Sequence, residues 1–229
     1  MGRWPTYTSL ARGPVGSDEV ARAFQDSLVE RLLAVLWETY DALSGEEYDL
    51  VADWNADIRD LERHLTEEFE LELSERVRVL DGGYLPVRVQ HERKERESQK
   101  GNRGQPPSID IAFVWEHEKR ITWPVEVKAL RSDVDRADGP RAYVGEGVQR
   151  FLDRTYAPFV RSGAMLGFLR SGSPTTLAVH IGARLGVPLQ RYGGQPERDH
   201  WTSDHVRSRA GGDGTEPFLC HHLILKLDG

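Results

Sequence analysis

The chain has 229 residues, of which 38% are hydrophobic and 29% are charged, and its formal net charge is −7. This length supports one sizeable core or two small ones, and the composition fits a soluble globular protein. No apolar run reaches the ~20 residues of a membrane span, and the acidic balance argues against a general nucleic-acid coat protein.

Cysteine usage and the N-terminal residues bear on the cellular compartment. The single cysteine, Cys220, excludes internal disulfides and fits a reducing environment. The opening residues, MGRWPTYTSL, lack the apolar stretch of a secretory signal. We therefore expect a cytoplasmic protein without a membrane partner.

Two helices are predicted near the N-terminus. Ser17 can cap the first, which runs to about Tyr40 on apolar residues at helical spacing. The second begins near Glu46, and its apolar residues alternate steps of three and four along one face. Its end has two interpretations: the alternating pattern over 69–73 indicates a strand, whereas a continuing helix would run toward Leu80.

Three strands are predicted next, over residues 84–90, 109–115 and 121–129. The connection over 91–108 is charged and aperiodic, and residues 91–103 hold five Lys/Arg against three glutamates. A polar connection of this length within a compact domain is usually functional or mobile.

Helices and strands alternate in the C-terminal part. The predicted elements are a polar loop over 130–144, a helix over about 145–162, a strand over 164–169, a helix over 173–185, a polar connection over 186–216 and a strand over 218–227. Pro158 should kink or shorten the first of these helices. Ser173 followed by Pro174 is a cap and first-turn pair that starts the second.

Three ionised residues occupy two of the predicted strands, where burial of an unpaired charge would cost on the order of several kcal/mol. Glu126 and Lys128 are two residues apart and therefore share one strand face. Asp110 lies at the start of the preceding strand, and a tight turn would pair the two strands antiparallel. Two carboxylates and one ammonium group should therefore converge at one edge of a sheet.

This combination of charges suggests metal chemistry. Two carboxylates at close range raise each other's pKa unless a cation lies between them. A hard divalent ion such as Mg²⁺ accepts carboxylates, a backbone carbonyl and waters, and it can activate a bound water against a phosphodiester. A neighbouring lysine can orient that water. The alternative is an ordinary hairpin that ends in a salt bridge between Lys128 and Glu126 or Asp110.

The pattern Pro107-Ser-Ile-Asp110, a spacer and Glu126-Val-Lys128, with the apolar flanks SIDIAFVW and PVEVKAL, resembles the signature of the PD-(D/E)XK nuclease superfamily. Proline and aspartate are separated by two residues here rather than adjacent. The order helix, strand, strand, strand, helix, strand also resembles the common core of that family, over about residues 47–170. The resemblance implies an α/β fold with a restriction-endonuclease-like core, a mixed central sheet flanked by helices, and extra N-terminal helices.

The resemblance also implies roles for the residues of the motif. Asp110, Glu126 and the backbone carbonyl of Val127 would bind Mg²⁺ or Mn²⁺. Lys128 would serve the attacking water.

Other polar residues would complete the implied site. The family usually adds a glutamate from the helix before the first strand, for which Glu62 and Glu68 are the candidates, ahead of Glu92. Gln149, with Glu146 one turn earlier, is the residue expected to face the site from the following helix. Three arginines could contact phosphate: Arg141, Arg150 and Arg154.

We predict a single domain, with residues 1–45 as an N-terminal helical extension and 46–229 as the nuclease-like core. The resemblance implies a metal-dependent nuclease that hydrolyses phosphodiester bonds, with double-stranded DNA as its substrate. It further suggests an effector of a restriction or antiphage defence system that works with a protein partner or as a homo-oligomer.

Two alternative functions stay open. The same fold could serve as a non-catalytic subunit that binds a protein partner or nucleic acid, which the net charge of −7 favours. The broad apolar faces of the two N-terminal helices could instead form a protein-interaction domain.

Histidines near the C-terminus are a weak signal for zinc. Cys220, His221 and His222, with His200 and His205 upstream, fit no standard zinc-finger spacing. Consecutive histidines in a strand also point to opposite faces.

Overall fold

The computed structural model describes residues 17–44, 58–79, 87–94, 107–115, 121–130, 139–208 and 214–227. They form helices α1 (Ser17–Leu43) and α2 (Ile58–Val79), then strands β1 (Val87–Lys94), β2 (Ser108–Trp115) and β3 (Thr122–Leu130). The helical segment over 140–152, called the covering helix, consists of α3 (Pro140–Ala142), a π-helix (Tyr143–Val148) and α4 (Gln149–Leu152). The remaining elements are β4 (Ser162–Leu169), α5 (Pro174–Leu185), β5 (Gln190–Arg191), β6 (His200–Ser208) and β7 (Thr215–Lys226).

The strands of the described residues form one seven-stranded mixed sheet in the order β1-β2-β3-β4-β7-β6-β5. Strands β1, β2 and β3 are antiparallel neighbours, and β4 runs parallel to both β3 and β7. Strand β6 is antiparallel to β7 and to β5. The predicted α/β class, with a mixed sheet and flanking helices, is therefore confirmed.

Helices cover both faces of this sheet. Phe69 of α2 packs edge-on against Phe168 of β4, with ring centroids 5.8 Å apart. The neighbouring Gly167 faces the other way, because a Cβ built on it would lie 3.4 Å from a ring carbon of Tyr143 in the covering helix. Helix α2, together with α1, which contacts it, therefore lies on one face, and the covering helix lies on the other. No described helix combines the length and the hydropathy that crossing a bilayer requires.

Helix α2 buries one apolar face, which is formed by residues spaced four apart: Leu61, Leu65, Phe69 and Leu73. Leu71, by contrast, is 65% exposed. The interpretation of 69–73 as a strand is therefore wrong, and the helix continues to Val79. Its predicted beginning, over 46–57, lies outside the described residues.

The predicted strands and capped helix of the central region are present. Strands β2, β3 and β4 coincide with the predicted ones to within two residues at either end. Ser173 caps α5 through its hydroxyl, which accepts a hydrogen bond from the amide of Thr176. Strand β1 extends to Lys94 and so includes the first part of the predicted connection, of which 95–106 lies outside the described residues.

Two C-terminal predictions are wrong in their bounds. The helix predicted over 145–162 spans 140–152, so Pro158 lies beyond its end, and part of the predicted polar loop is helical. The predicted connection over 186–216 contains β5 and β6. Strand β6 buries polar side chains such as Ser203 and Arg207, so hydrophobic alternation could not reveal it.

Gly147 lets the covering helix approach the sheet closely. A Cβ on Gly147 would lie 2.3 Å from Cε of the buried Met165 in β4 and 3.8 Å from Cγ of Glu126. We expect Gly147→Ala to lower the free energy of unfolding by about 1 kcal/mol in urea titrations, because the terminal methyl group of the buried Met165 must shift to make room. Gly145→Ala is the matched control, because its Cβ would meet no atom of the described residues within 4 Å, and it should leave stability unchanged or slightly raised. Equal losses of unfolding free energy in both variants would contradict the close packing of Gly147 against Met165.

Candidate active site

Asp110 and Glu126 meet where the ladder between β2 and β3 ends. The last pair of the ladder is Ile111 opposite Val125, and the continued register puts Asp110 opposite Glu126. Here the Asp110 side chain replaces a backbone partner: its Oδ2 accepts a hydrogen bond from the amide of Val127, 2.8 Å away. The structure thus brings both predicted carboxylates to the place where β2 stops pairing with β3, which is called the rim.

Lys128 lies among oxygen atoms beside these carboxylates. Its Nζ is 3.0 Å from Oε1 of Glu126, 3.2 Å from Oε1 of Glu62 and 2.7 Å from the carbonyl oxygen of Val127. Burial lowers the pKa of Lys128, but the carboxylates of Glu126, Asp110 and Glu62 outweigh burial and raise that pKa above its ordinary value. Lys128 is therefore a fixed positive charge at the rim.

Glu126 is fully buried, and its two oxygens differ in their surroundings. Oε1 lies 3.0 Å from both Lys128 Nζ and Arg150 Nη1, whereas the buried Oε2 has no hydrogen-bond partner within the described residues. Burial, followed by the charge of Asp110, raises the pKa of Glu126 to about 8. Since an unpaired buried oxygen is unfavourable, a proton or a metal ion bound there would stabilise the group.

Glu126 should make the stability of the metal-free protein fall as the pH rises. Its pKa is 4.5 ordinarily and about 8 in the fold, so between these values the folded state keeps a proton that the unfolded state has lost. We expect the free energy of unfolding of wild type to fall, relative to that of Glu126→Gln, by up to about 1.4 kcal/mol per pH unit across this range. Urea unfolding with a chelator present, at several pH values, measures this slope. Parallel profiles for the two proteins would contradict the raised pKa.

Of the glutamates predicted to complete the site, Glu62 contacts the rim cluster, which consists of Asp110, Glu126 and Lys128. Helix α2 places its Oε2 3.0 Å from the amide of Ala129, which donates a hydrogen bond to it. Glu68 lies six residues further along α2, about 9 Å along the axis and on a different side of the helix. Glu92 lies opposite Asp110 by the register of the flanking pairs, but it is exposed and its φ of 45° interrupts the ladder.

The covering helix presents Arg150 rather than Gln149 to the carboxylates. Gln149 is exposed, and no hydrogen bond links its side chain to the cluster in the part of the chain described. Nη1 of Arg150 lies 3.0 Å from Oε1 of Glu126 and 2.6 Å from the hydroxyl oxygen of Tyr156. The preceding π-helix explains the shift, because its wider turns change the angular position of every later residue. A catalytic role for Gln149 stays a prediction.

The three arginines predicted to contact phosphate have different surroundings. The side chain of Arg150 is 40% exposed at the rim. Arg141 is exposed on α3. Arg154 is buried, where it pairs with Glu216 and donates to two backbone carbonyls, so it supports the loop after the covering helix.

The C-terminal histidines belong to the core. Nδ1 of His221 is 3.2 Å from Nε2 of His200, whereas His222 lies between the hydroxyls of Tyr143, at 3.0 Å, and Ser203, at 2.8 Å. Burial lowers the pKa of His221 to about 4 and that of His222 to about 3. These contacts place the two consecutive histidines on opposite faces of β7 as neutral, hydrogen-bonded groups.

The oxygens of the rim suit a hard divalent cation. Asp110, Glu126 and the carbonyl of Val127 supply oxygen ligands of the kind that Mg²⁺ and Mn²⁺ take, and Oε2 of Glu126 has no competing donor among the described residues. No three His, Cys, Asp or Glu side chains of the described ranges gather into a metal-binding group, and Glu62 is held by Lys128 instead. Two carboxylates and a carbonyl would leave the remaining positions to water.

No protein-family model, no curated protein and no solved structure matches this chain. The geometry of the rim cluster and the motif formed by Asp110, Glu126 and Lys128 are therefore what bears on its function.

Proposed function

We propose that this chain is a divalent-metal-dependent nuclease with a restriction-endonuclease-like core, and that it hydrolyses phosphodiester bonds of double-stranded DNA. The observation that carries the proposal is a buried Glu126 with one oxygen lacking a partner in the described residues, beside Asp110 and Lys128. A salt bridge at the end of a hairpin requires neither the second carboxylate nor the unpaired oxygen.

The order of elements supports the same proposal. Helix α2, strands β1 to β3, the covering helix and β4 follow one another as helix, strand, strand, strand, helix, strand. Asp110 lies on β2, and Glu126 and Lys128 lie on β3. The resemblance to PD-(D/E)XK nucleases implies this arrangement.

The proposed mechanism assigns each residue a task. Asp110, Glu126 and the Val127 carbonyl would hold Mg²⁺ or Mn²⁺, which when bound polarises the phosphodiester and lowers the pKa of a bound water. Lys128 would orient the attacking water and offset the negative charge that develops on the phosphoryl oxygens. Glu62, 3.2 Å from the ammonium group, keeps Lys128 in position.

A second candidate function is a nuclease-like subunit without cleavage of its own. The net charge of −7 favours it, because an acidic chain binds the phosphate backbone of a long nucleic acid weakly unless a partner supplies positive charge. Either function suits a component of a restriction or antiphage defence system that acts with a protein partner or with a second copy of the chain.

Incubation of the purified chain with supercoiled plasmid, linear duplex, single-stranded DNA and RNA tests the proposal. We expect cleavage of duplex DNA in Mg²⁺ or Mn²⁺ and none with a chelator. Cleavage that persists in the chelator would exclude the metal mechanism. Failure to cut any substrate with either metal would favour the non-catalytic subunit.

A further inference from the structure

We propose that Arg150 is a built-in cation that leaves the carboxylates when they take up a divalent metal ion and then binds a phosphate of the nucleic acid. This inference rests on the proposed function and names the group that holds the substrate backbone at the rim.

Arg150 bridges the buried cluster and the protein surface. Its guanidinium contacts Glu126 and the hydroxyl of Tyr156, and it lies 5.4 Å from the centre of the Tyr156 ring. The Tyr156 hydroxyl donates in turn to the carbonyl of Ser108 at the start of β2. Yet 40% of the Arg150 side chain is exposed, against 0% for Glu126. The guanidinium can therefore turn toward solvent by side-chain rotation, without opening the core.

The charge balance of the cluster determines when Arg150 leaves Glu126. Within the described residues, the three carboxylates of Glu62, Asp110 and Glu126 lie beside the cations of Lys128 and Arg150. A divalent ion and Lys128 together would balance the three carboxylates, so Arg150 would become an excess positive charge. Since like charges a few ångströms apart repel strongly in a buried site, the excess charge is driven outward.

Of the two cations, Arg150 is the one able to leave. Lys128 is 12% exposed and is fixed by the carboxylates of Glu62 and Glu126 and by the Val127 carbonyl. Among the described carboxylates, Arg150 forms a direct ion pair only with Glu126.

The chemistry of the released group fits a phosphodiester. A guanidinium presents parallel N–H donors that match two phosphate oxygens, and it remains charged at every physiological pH. Released from Glu126, Arg150 would supply one positive charge at the point where the backbone must approach the metal. An acidic chain would thereby gain local affinity for nucleic acid only when the metal is present.

Mn²⁺ binding without nucleic acid tests the first half of the inference. We expect Arg150→Gln to bind Mn²⁺ about tenfold more tightly than wild type in calorimetry, because a competing cation is removed. Tyr156→Phe, which loosens Arg150 without changing the charge, should also tighten binding, by a smaller factor. Arg78→Gln is the matched control, since this exposed arginine lies near the end of α2, about 24 Å along the helix axis from Glu62, and it should bind Mn²⁺ as wild type does. Thermal unfolding establishes that each variant is folded.

Binding of a short phosphorothioate duplex, followed by fluorescence anisotropy, tests the second half. Mn²⁺ should strengthen duplex binding by wild type and by Arg78→Gln. In Arg150→Gln this Mn²⁺-dependent gain in duplex affinity should be smaller by at least about fivefold, or ~1 kcal/mol. Equal Mn²⁺ affinities for wild type and Arg150→Gln would overturn the inference while leaving the nuclease proposal intact. Absence of Mn²⁺ binding in every protein would overturn both.

Discussion

Lys128→Met should reduce DNA cleavage by at least about 10²-fold in Mg²⁺ or Mn²⁺, with Lys128→Ala giving the same loss. Methionine retains the apolar stem of the side chain and removes the charge that would serve the water and the phosphoryl oxygens. The fold should survive, because Arg150 still pairs with Glu126 at 3.0 Å and the carboxyl can take up a proton. Plasmid cleavage and thermal unfolding of the same samples measure the two effects.

Two substitutions of Asp110 separate its charge from its hydrogen bond. Asp110→Asn should abolish cleavage but keep an oxygen that accepts the Val127 amide hydrogen bond. Asp110→Ala should abolish cleavage and also lower stability by about 1–3 kcal/mol, because that amide loses its partner. Wild-type rates for Lys128→Met and Asp110→Asn would show that these residues do not form the active site.

Glu216→Ala should be the most destabilising of the charge removals, at about 3–5 kcal/mol in urea unfolding. Glu216 accepts from both Arg154 and Arg207, whose side chains are 3% and 0% exposed. Its loss would leave two buried guanidinium groups without their shared carboxylate. The same change should loosen the loop that holds Tyr156, in which Arg154 and Ala157 have left-handed backbone angles.

An exposed pair on α2 is the matched control for Glu216. Glu75 lies 2.6 Å from Arg78, and both side chains are more than half exposed, so Glu75→Ala should cost less than about 1 kcal/mol. A similar loss from Glu75→Ala and Glu216→Ala would mean that burial does not determine the contribution of these ion pairs.

The meeting of Asp110, Glu126 and Lys128 could be predicted because charged residues in apolar strands are conspicuous. Antiparallel pairing and a side-chain period of two then fix which residues share the rim. The structure agrees with this local reasoning: Lys128 lies 3.0 Å from Glu126, and Asp110 caps the amide that follows Glu126.

The groups supplied by the helices could not be identified in the same way. Glu62 and Glu68 look equivalent in the sequence, and only the crossing of α2 over the sheet brings Glu62 to Lys128. Arg150, and not Gln149, faces the carboxylates because a π-helix precedes these two residues. The spacing of apolar residues in the sequence does not reveal that π-helix. The glycines of that segment, Gly145 and Gly147, are the one sequence hint of irregular helical geometry.

Calorimetric titration of Mn²⁺ into wild type and into the Asp110→Asn, Glu126→Gln double variant tests the central claim most directly. We predict a single Mn²⁺ site in wild type and a loss of at least about 10²-fold in affinity, or ~2.7 kcal/mol, in the double variant. Equal affinities in the two proteins, or no Mn²⁺ binding by wild type, would contradict the assignment of this rim as a metal-dependent active site.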